Sequence, residues 1–273
     1  MTRTTAAAAL VALLTLAGCS SAPVPEDAAG GAPSASADGL TGELTIFAAA
    51  SLQPAFDELT AAFAAEHPGV TVDPVTYDGS STLATQLVQG ARADVFASAD
   101  ETTMAPVVDA GLVDGAPTTF TTNSLQILVP PGNPQQVASL ADLATLAARG
   151  GTVVLCAPEV PCGSAARKVL DAAGVELAPA SEEQNVSAVL TKVTAGEADA
   201  GLVYRTDVLR AGHLARGVDF PEADEAINPY PIAALGDDAR PDGHDAATAR
   251  AFVELVLSGE GQKVLAEAGF GAR

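Results

Sequence analysis

Residues 45–63 run a buried strand directly into a helix, and that junction constrains the chain more than any other feature. Thr45-Ile46-Phe47-Ala48-Ala49 is a continuous buried-strand pattern; Leu52, Phe56, Leu59 and Phe63 then recur at helical spacing, with Ser51 where an N-cap belongs. A strand that ends at a helix N-terminus presents unpaired main-chain N–H groups and the positive end of the helix dipole. It can hold an anion without any Lys or Arg. Taken alone, the junction equally describes a serine that simply caps its own helix.

The arrangement recurs. Val70 to Tyr77 is β-rich and ends at the Asp78-Gly79 turn, after which Ser80-Ser81-Thr82 opens a helix carrying Leu83, Leu87 and Val88. Asp94 to Asp100 reads as another buried strand, Glu101 to Ala110 as a short helix, and Leu125 to Pro130 as a further strand. A second group of units follows: a helix opening at Ser139, a strand over Thr152 to Leu155, and the loop from Cys156 to Gly163 leading into a helix from Ser164 to Ala173. Asn185 can cap a helix that places Val186, Val189, Leu190 and Val193 on one face; Ala200 to Tyr204 is a buried strand ending in a phenol. Asn228 to Ala233 is an extended return strand, and Asp245 to Ser258 and Glu260 to Ala268 are two closing helices. Strands alternating with helices predict an α/β fold built on mainly parallel sheets.

The N-terminus belongs to a different regime. An apolar run from Ala6 to Leu16 is too short to span a bilayer and has the layout of a secretory signal, residues 1–18. Its ending, Leu16-Ala17-Gly18-Cys19, resembles a bacterial lipobox, which implies lipid on Cys19 and an extracytoplasmic protein anchored to the cell membrane. Residues 19–39 are almost entirely small or polar and form a disordered tether. With 13 basic and 34 acidic residues the chain carries a formal charge of −21, so nucleic acid is a poor partner. If Cys19 carries lipid, Cys156 and Cys162 remain as an even pair in an oxidising compartment, which favours a disulfide; a zinc site is the weaker alternative, with no His or further Cys nearby in sequence.

Candidate catalysts are sparse. No Gly-x-Ser-x-Gly, Ser-x-x-Lys, His-Glu-x-x-His or P-loop sequence is present. His67, His213 and His244 read as exposed loop or helix-terminal residues, and Glu182-Glu183 and Asp237-Asp238 as surface pairs in polar loops.

Phe-Ala-Ala-Ala-Ser-Leu at 47–52, Ser-Ser-Thr-Leu-Ala at 80–84, Ala-Asp-Val-Phe-Ala-Ser-Ala-Asp at 93–100, Asn-Ser-Leu at 123–125 and Gly-Leu-Val-Tyr at 201–204 together resemble the periplasmic molybdate-binding proteins of ABC importers. The resemblance implies a type II periplasmic-binding-protein fold: two α/β lobes, 40–122 with 230–273 and 123–229, joined by two crossing hinge segments. It implies no enzyme and no cofactor, but a monomeric receptor that holds molybdate or tungstate in the cleft and delivers it to an ABC permease. By position, the molybdate ligands fall on the hydroxyls of Ser51, Ser80 and Tyr204 and the main chain of Cys162 and Val186. Any contact with the metal runs through the oxyanion's oxygens. A thiol at 162 departs from the family pattern, where a small non-thiol residue is usual; only its N–H is required. Asp78 beside Ser80 is a second departure, expected to turn to solvent.

The residues support the same picture independently. Four helix N-termini of about half a charge each approach the charge of a dianion as an upper limit. Arg167, Lys168 and Arg205, the cations nearest in sequence, are not needed. A sulfate or phosphate receptor of the same fold is the rival within this class; a lipid-anchored hydrolase using Ser51 or Ser80 is the rival outside it, and no histidine is placed to activate either serine.

Overall fold

The computed structural model describes residues 39–273; the signal sequence, Cys19 and nearly all of the tether lie outside them. The first half comprises β1 (Thr41–Leu44), β2 (Ile46–Ala49), α1 (Gln53–Glu66), β3 (Gly69–Val72), β4 (Thr76–Asp78), α2 (Ser80–Val88), β5 (Val95–Ala97), α3 (Glu101–Asp109) and β6 (Thr118–Asn123). After it come β7 (Leu125–Val129), α4 (Leu140–Ala148), β8 (Val153–Cys156), α5 (Pro161–Ala173), β9 (Ser181–Glu183), α6 (Val186–Thr194), β10 (Ala200–Tyr204), α7 (Arg205–Ala211) and β11 (Arg216–Val218). The chain closes with β12 (Asn228–Ala234), α8 (Ala246–Leu257) and α9 (Gly259–Glu267).

Two five-stranded sheets result, in the orders β4-β2-β5-β12-β6 and β11-β7-β10-β8-β9. Each is flanked by helices, giving two α/β lobes. The pairing is parallel among β4, β2 and β5 and among β9, β8 and β10. It is antiparallel where β12 meets β5 and β6, and where β7 meets β10 and β11. The sheets are therefore mixed rather than mainly parallel. The reason is connectivity: β7 follows β6 after Ser124 alone, and β12 enters from the other sheet, so neither is delivered by the helical crossover that enforces parallel pairing.

The expected single β segment at 70–77 is two strands. β3 pairs with β1 in a separate two-stranded sheet and β4 joins the first main sheet. Pro74, which cannot donate to a ladder, lies in the break. Glu183 is likewise not a loop residue: it lies in β9 and pairs with Lys192, which holds its carboxyl below the usual range against the opposing effect of burial.

Alternation along the strands of the first sheet feeds both faces. Ile46, Ala48, Val95 and Ala97 point to the core under α1, α8 and α9, while Phe47 and Phe96 point to the core under α2 and α3. A file of aromatic rings crosses the first core. Phe63 meets Phe252 at 5.5 Å, Phe252 meets Phe56 at 5.9 Å, Phe56 meets Phe120 at 6.0 Å and Phe120 meets Tyr230 at 6.4 Å, in tilted or edge-on arrangements favourable for aromatic pairs.

His244 differs from its expected exposure. Its side chain is only 9% exposed, with Nδ1 at 2.8 Å from Asp94 Oδ2 and Nε2 at 3.2 Å from Glu43 Oε2. Asp94, buried ahead of β5, also accepts from Thr45 N at 2.7 Å. Burial disfavours the imidazolium, but the two carboxylates outweigh it and raise the pKa of His244. A raised histidine pKa contributes stability that is complete below the unfolded value of about 6.5 and is lost as pH rises through the folded one. The stability difference between wild type and His244→Gln should therefore be largest below about pH 6.5 and shrink toward pH 8. Denaturant titrations across that range check this; a gap independent of pH would show that the imidazole is neutral in the folded chain.

Candidate functional site

The two sheets aim the C-terminal ends of β2, β4, β5, β8 and β10 at one another, and helices start there. Ser51 lies in a short 3₁₀ turn, Ala50–Leu52, immediately ahead of α1; Ser80 is the first residue of α2; Cys162 is the second of α5; Val186 is the first of α6; Tyr204 ends β10. All five line one cavity of about 20 Å³, together with Asp78, Ala49, Ala50 and Ala99. A space of that size admits a water-sized centre. The alanines contribute no side chain beyond Cβ, so main chain forms much of the wall. No Lys, Arg or His lines it.

Neither serine caps its helix. Leu52 occupies the N-cap position of α1 and Gly79 that of α2, and neither helix has a side-chain cap. The hydroxyls have other partners. Ser51 Oγ lies 2.9 Å from Tyr230 Oη, which also accepts from Asn123 Nδ2 at 3.4 Å. Ser80 Oγ accepts from Ala99 N at 2.9 Å, and Tyr204 Oη accepts from Asn228 Nδ2 at 3.0 Å. With its acceptor side supplied by Asn123, Tyr230 is free to donate to Ser51, leaving the Ser51 proton for the cavity. The Ser80 and Tyr204 protons are left by the same logic. Burial, then the neighbouring Tyr230, Asp100 and Asp207, push Tyr204 far above the ordinary phenol range; burial also raises Tyr230, against the opposing effect of its hydrogen-bond partners Ser51 and Asn123. Both phenols keep their protons, so Tyr204 presents a donor.

Main-chain donors complete the wall. Among the described residues, no protein group accepts from the N–H of Cys162, Val186 or Ser80. The Gly163 N–H is not among these donors, because it donates to Val160 O at 3.0 Å. The helix there starts at Pro161, three residues before the sequence pattern suggested, because Val160 supplies that carbonyl. Gly163 is required for space, since a Cβ would stand 1.8 Å from Ala157 O. The sulfurs of Cys156 and Cys162 lie 2.09 Å apart and tie the end of β8 to the first turn of α5.

Asp78 does not turn to solvent. It is half-buried, lines the cavity, and its Oδ1 accepts from Gly79 N at 2.7 Å and from Asn185 Nδ2 at 2.8 Å. Tyr230, Asn123 and Asn228 escaped sequence reasoning as site residues. Their signal was a polar or phenolic group in an otherwise buried strand. Arg210 is the cation that reaches across: it donates to Asp207 Oδ1 at 2.8 Å, Ser187 Oγ at 2.9 Å and Gln53 Oε1 at 3.4 Å. Asp207 in turn accepts from Tyr204 N at 3.2 Å and fixes the turn below Tyr204; burial pushes its carboxyl up to about 6 despite Arg210.

Residues 44–271 match the family described as bacterial extracellular solute-binding protein. The molybdate-binding protein ModA of Mycobacterium tuberculosis is 48% identical over 227 residues, 83% of this chain and 84% of the relative. Among solved structures, the periplasmic molybdate-binding protein of Azotobacter vinelandii superposes with a TM-score of 0.68 at 20% identity, over 84% of this chain and 99% of that one. The sulfate-binding protein SubI of M. tuberculosis does so with 0.67 at 21%, over 84% and 86%. Both structures share the fold, and the fold does not separate the two anions.

The sulfur pair makes a direct prediction. Protein recovered without reductant from an oxidising compartment should show no free thiol at 156 or 162 by alkylation and mass analysis. The Cys156→Ser/Cys162→Ser double variant should be less stable by about 2 kcal/mol, the loop-entropy value for so short a ring. Two alkylated cysteines in the native protein would contradict it.

Proposed function

The chain belongs to the bacterial extracellular solute-binding proteins, and from that premise we propose that it captures molybdate, and also tungstate, in the cleft between its lobes and delivers it to an ABC importer. It is a receptor and not an enzyme. The observation that carries the reading is the wall of donors. Three hydroxyls, at Ser51, Ser80 and Tyr204, each have a partner supplied on the acceptor side, and the main-chain N–H groups of Cys162 and Val186 are unclaimed. Such a wall suits an oxyanion that carries two charges and no proton. Hydrogen phosphate would bury a proton that needs an acceptor; the Asp78 carboxylate is the one lining side chain placed to take it, and without that acceptor the cost is about 1 to 3 kcal/mol. The preference for molybdate over sulfate rests on the 48% identical relative rather than on the fold.

Several finer points belong to the same proposal. The lobes are 40–122 with 230–273 and 123–229; support comes from the chain passing between the sheets at β6/β7 and again ahead of β12. Residues 1–18 are a signal peptide and Cys19 carries lipid, which the Leu-Ala-Gly-Cys sequence supports. The tether then holds a monomeric receptor at the membrane, beside its permease.

Calorimetric titration at neutral pH with molybdate, tungstate, sulfate and phosphate tests the assignment. Molybdate and tungstate should displace each other, with sulfate at least about a hundredfold weaker, a gap of about 2.7 kcal/mol. Phosphate binding as tight as molybdate, and abolished by Asp78→Asn, would reassign the site to phosphate.

Side chains should rank in a definite order. Ser51→Ala removes a buried hydrogen bond to a charged ligand and should cost about 1.5 to 3 kcal/mol; Tyr230→Phe removes only the group that orients Ser51 and should cost about 1 kcal/mol. Arg167→Gln, Lys168→Gln and Arg205→Gln should each change the dissociation constant less than about tenfold, that is by less than about 1.4 kcal/mol. A basic substitution that abolishes binding while Ser51→Ala is tolerated would refute the donor wall.

A further inference from the structure

Asn185 uses both ends of its amide. Oδ1 accepts from Ala188 N at 3.0 Å and caps α6, while Nδ2 donates at 2.8 Å to Asp78 Oδ1, at the end of a strand in the opposite sheet. The same Asp78 oxygen accepts from Gly79 N at 2.7 Å. The main chains meet there as well: a Cβ on Gly79 would stand 2.2 Å from Gln184 O. One carboxylate oxygen thus joins the N-terminus of α2, which bears Ser80, to the N-terminus of α6, which bears Val186.

The charge of Asp78 makes this placement informative. A carboxylate lining an anion cavity repels the anion, so by electrostatics alone its removal would tighten binding. We propose that Asp78 and Asn185 form a clasp that favours the closed form and holds the Val186 N–H in place over the anion, so that Asp78 retains a ligand that its charge repels. This rests on the oxyanion-receptor reading above and assigns Asp78 a positioning role within that site. Because Asn185 is oriented by its own helix cap, the clasp is built into the local structure of α6.

A swap separates the clasp from the charge. Asn185→Asp keeps a good N-cap but sets a carboxylate against Asp78, so it opens the clasp and leaves the helix start intact. Adding Asp78→Asn restores a donor and acceptor pair across the cleft with the net charge of the wild type. In stopped-flow release of molybdate, Asn185→Asp should dissociate at least about tenfold faster than wild type, and the Asp78→Asn/Asn185→Asp swap should return to within about threefold. Asp78→Ala should also release faster, against its electrostatic sign. A second readout needs no ligand. Small-angle scattering of the ligand-free proteins should give a larger radius of gyration for Asn185→Asp than for wild type or the swap.

The outcomes are distinct. Slower or unchanged release from Asp78→Ala, or a swap as fast as Asn185→Asp, overturns the clasp while leaving the receptor reading in place. A wild type that binds no molybdate overturns the receptor reading. The scattering comparison then decides the clasp alone, and equal radii for all three proteins overturn it.

Discussion

A buried hydroxyl that already accepts one hydrogen bond still has its proton to give, and this structure sets three such hydroxyls around one small cavity. Ser51 is supplied by Tyr230, Ser80 by the Ala99 N–H and Tyr204 by Asn228. Each supplier is itself held. Asn228 Nδ2 also donates to Ala99 O at 3.0 Å, and Asn123 donates to Thr206 Oγ1 at 2.9 Å as well as to Tyr230. Donor direction is therefore set by a network anchored in strands rather than by mobile side chains. Fixed donors need little reorganisation when an anion arrives, which is the condition for strong charge-assisted hydrogen bonds.

That network occupies the place where the chain crosses between lobes. Asn123 ends β6 just before the chain enters the second sheet, and Asn228 begins β12 just after it returns. The pair sits in register on neighbouring strands. Tyr230, two residues further, closes the aromatic file from the first core and meets Tyr204 of the second lobe at 5.9 Å, edge to face. The groups that aim the donors therefore sit where the chain crosses between the two sheets.

The sequence made the junctions legible and left their wiring obscure. Ser51, Ser80, Cys162 and Val186 were found at helix starts because apolar spacing changes period there, which is a local signal. Serine capping was the wrong inference for a physical reason: N-cap preference describes a hydroxyl with only nearby groups to bond, and Ser51 has Tyr230, 179 residues along, within reach. The same blindness to distant partners put His244 on the surface and Asp78 in solvent. Periodicity also carries no strand direction, so β7 and β12 were assigned to strands but not to antiparallel pairing. Asn185 is the opposite case: its cap accepts from a donor three residues away, an interaction that local spacing alone reveals.

The acidity of the chain can now be weighed against its ligand. A charge of −21 would repel a dianion at long range, but exposed charges are screened beyond about 8 Å in physiological salt. Within the cavity the balance is different. The helix starts at α2, α5 and α6 and the turn before α1 present partial positive charge at contact distance, and among the lining residues Asp78 is the one carboxylate. Its Oδ1 is already bonded to Gly79 N and Asn185 Nδ2, so its charge is met by donors before any ligand arrives. The lining groups would therefore meet an anion at contact distance, where the screened charge of the surface counts for little.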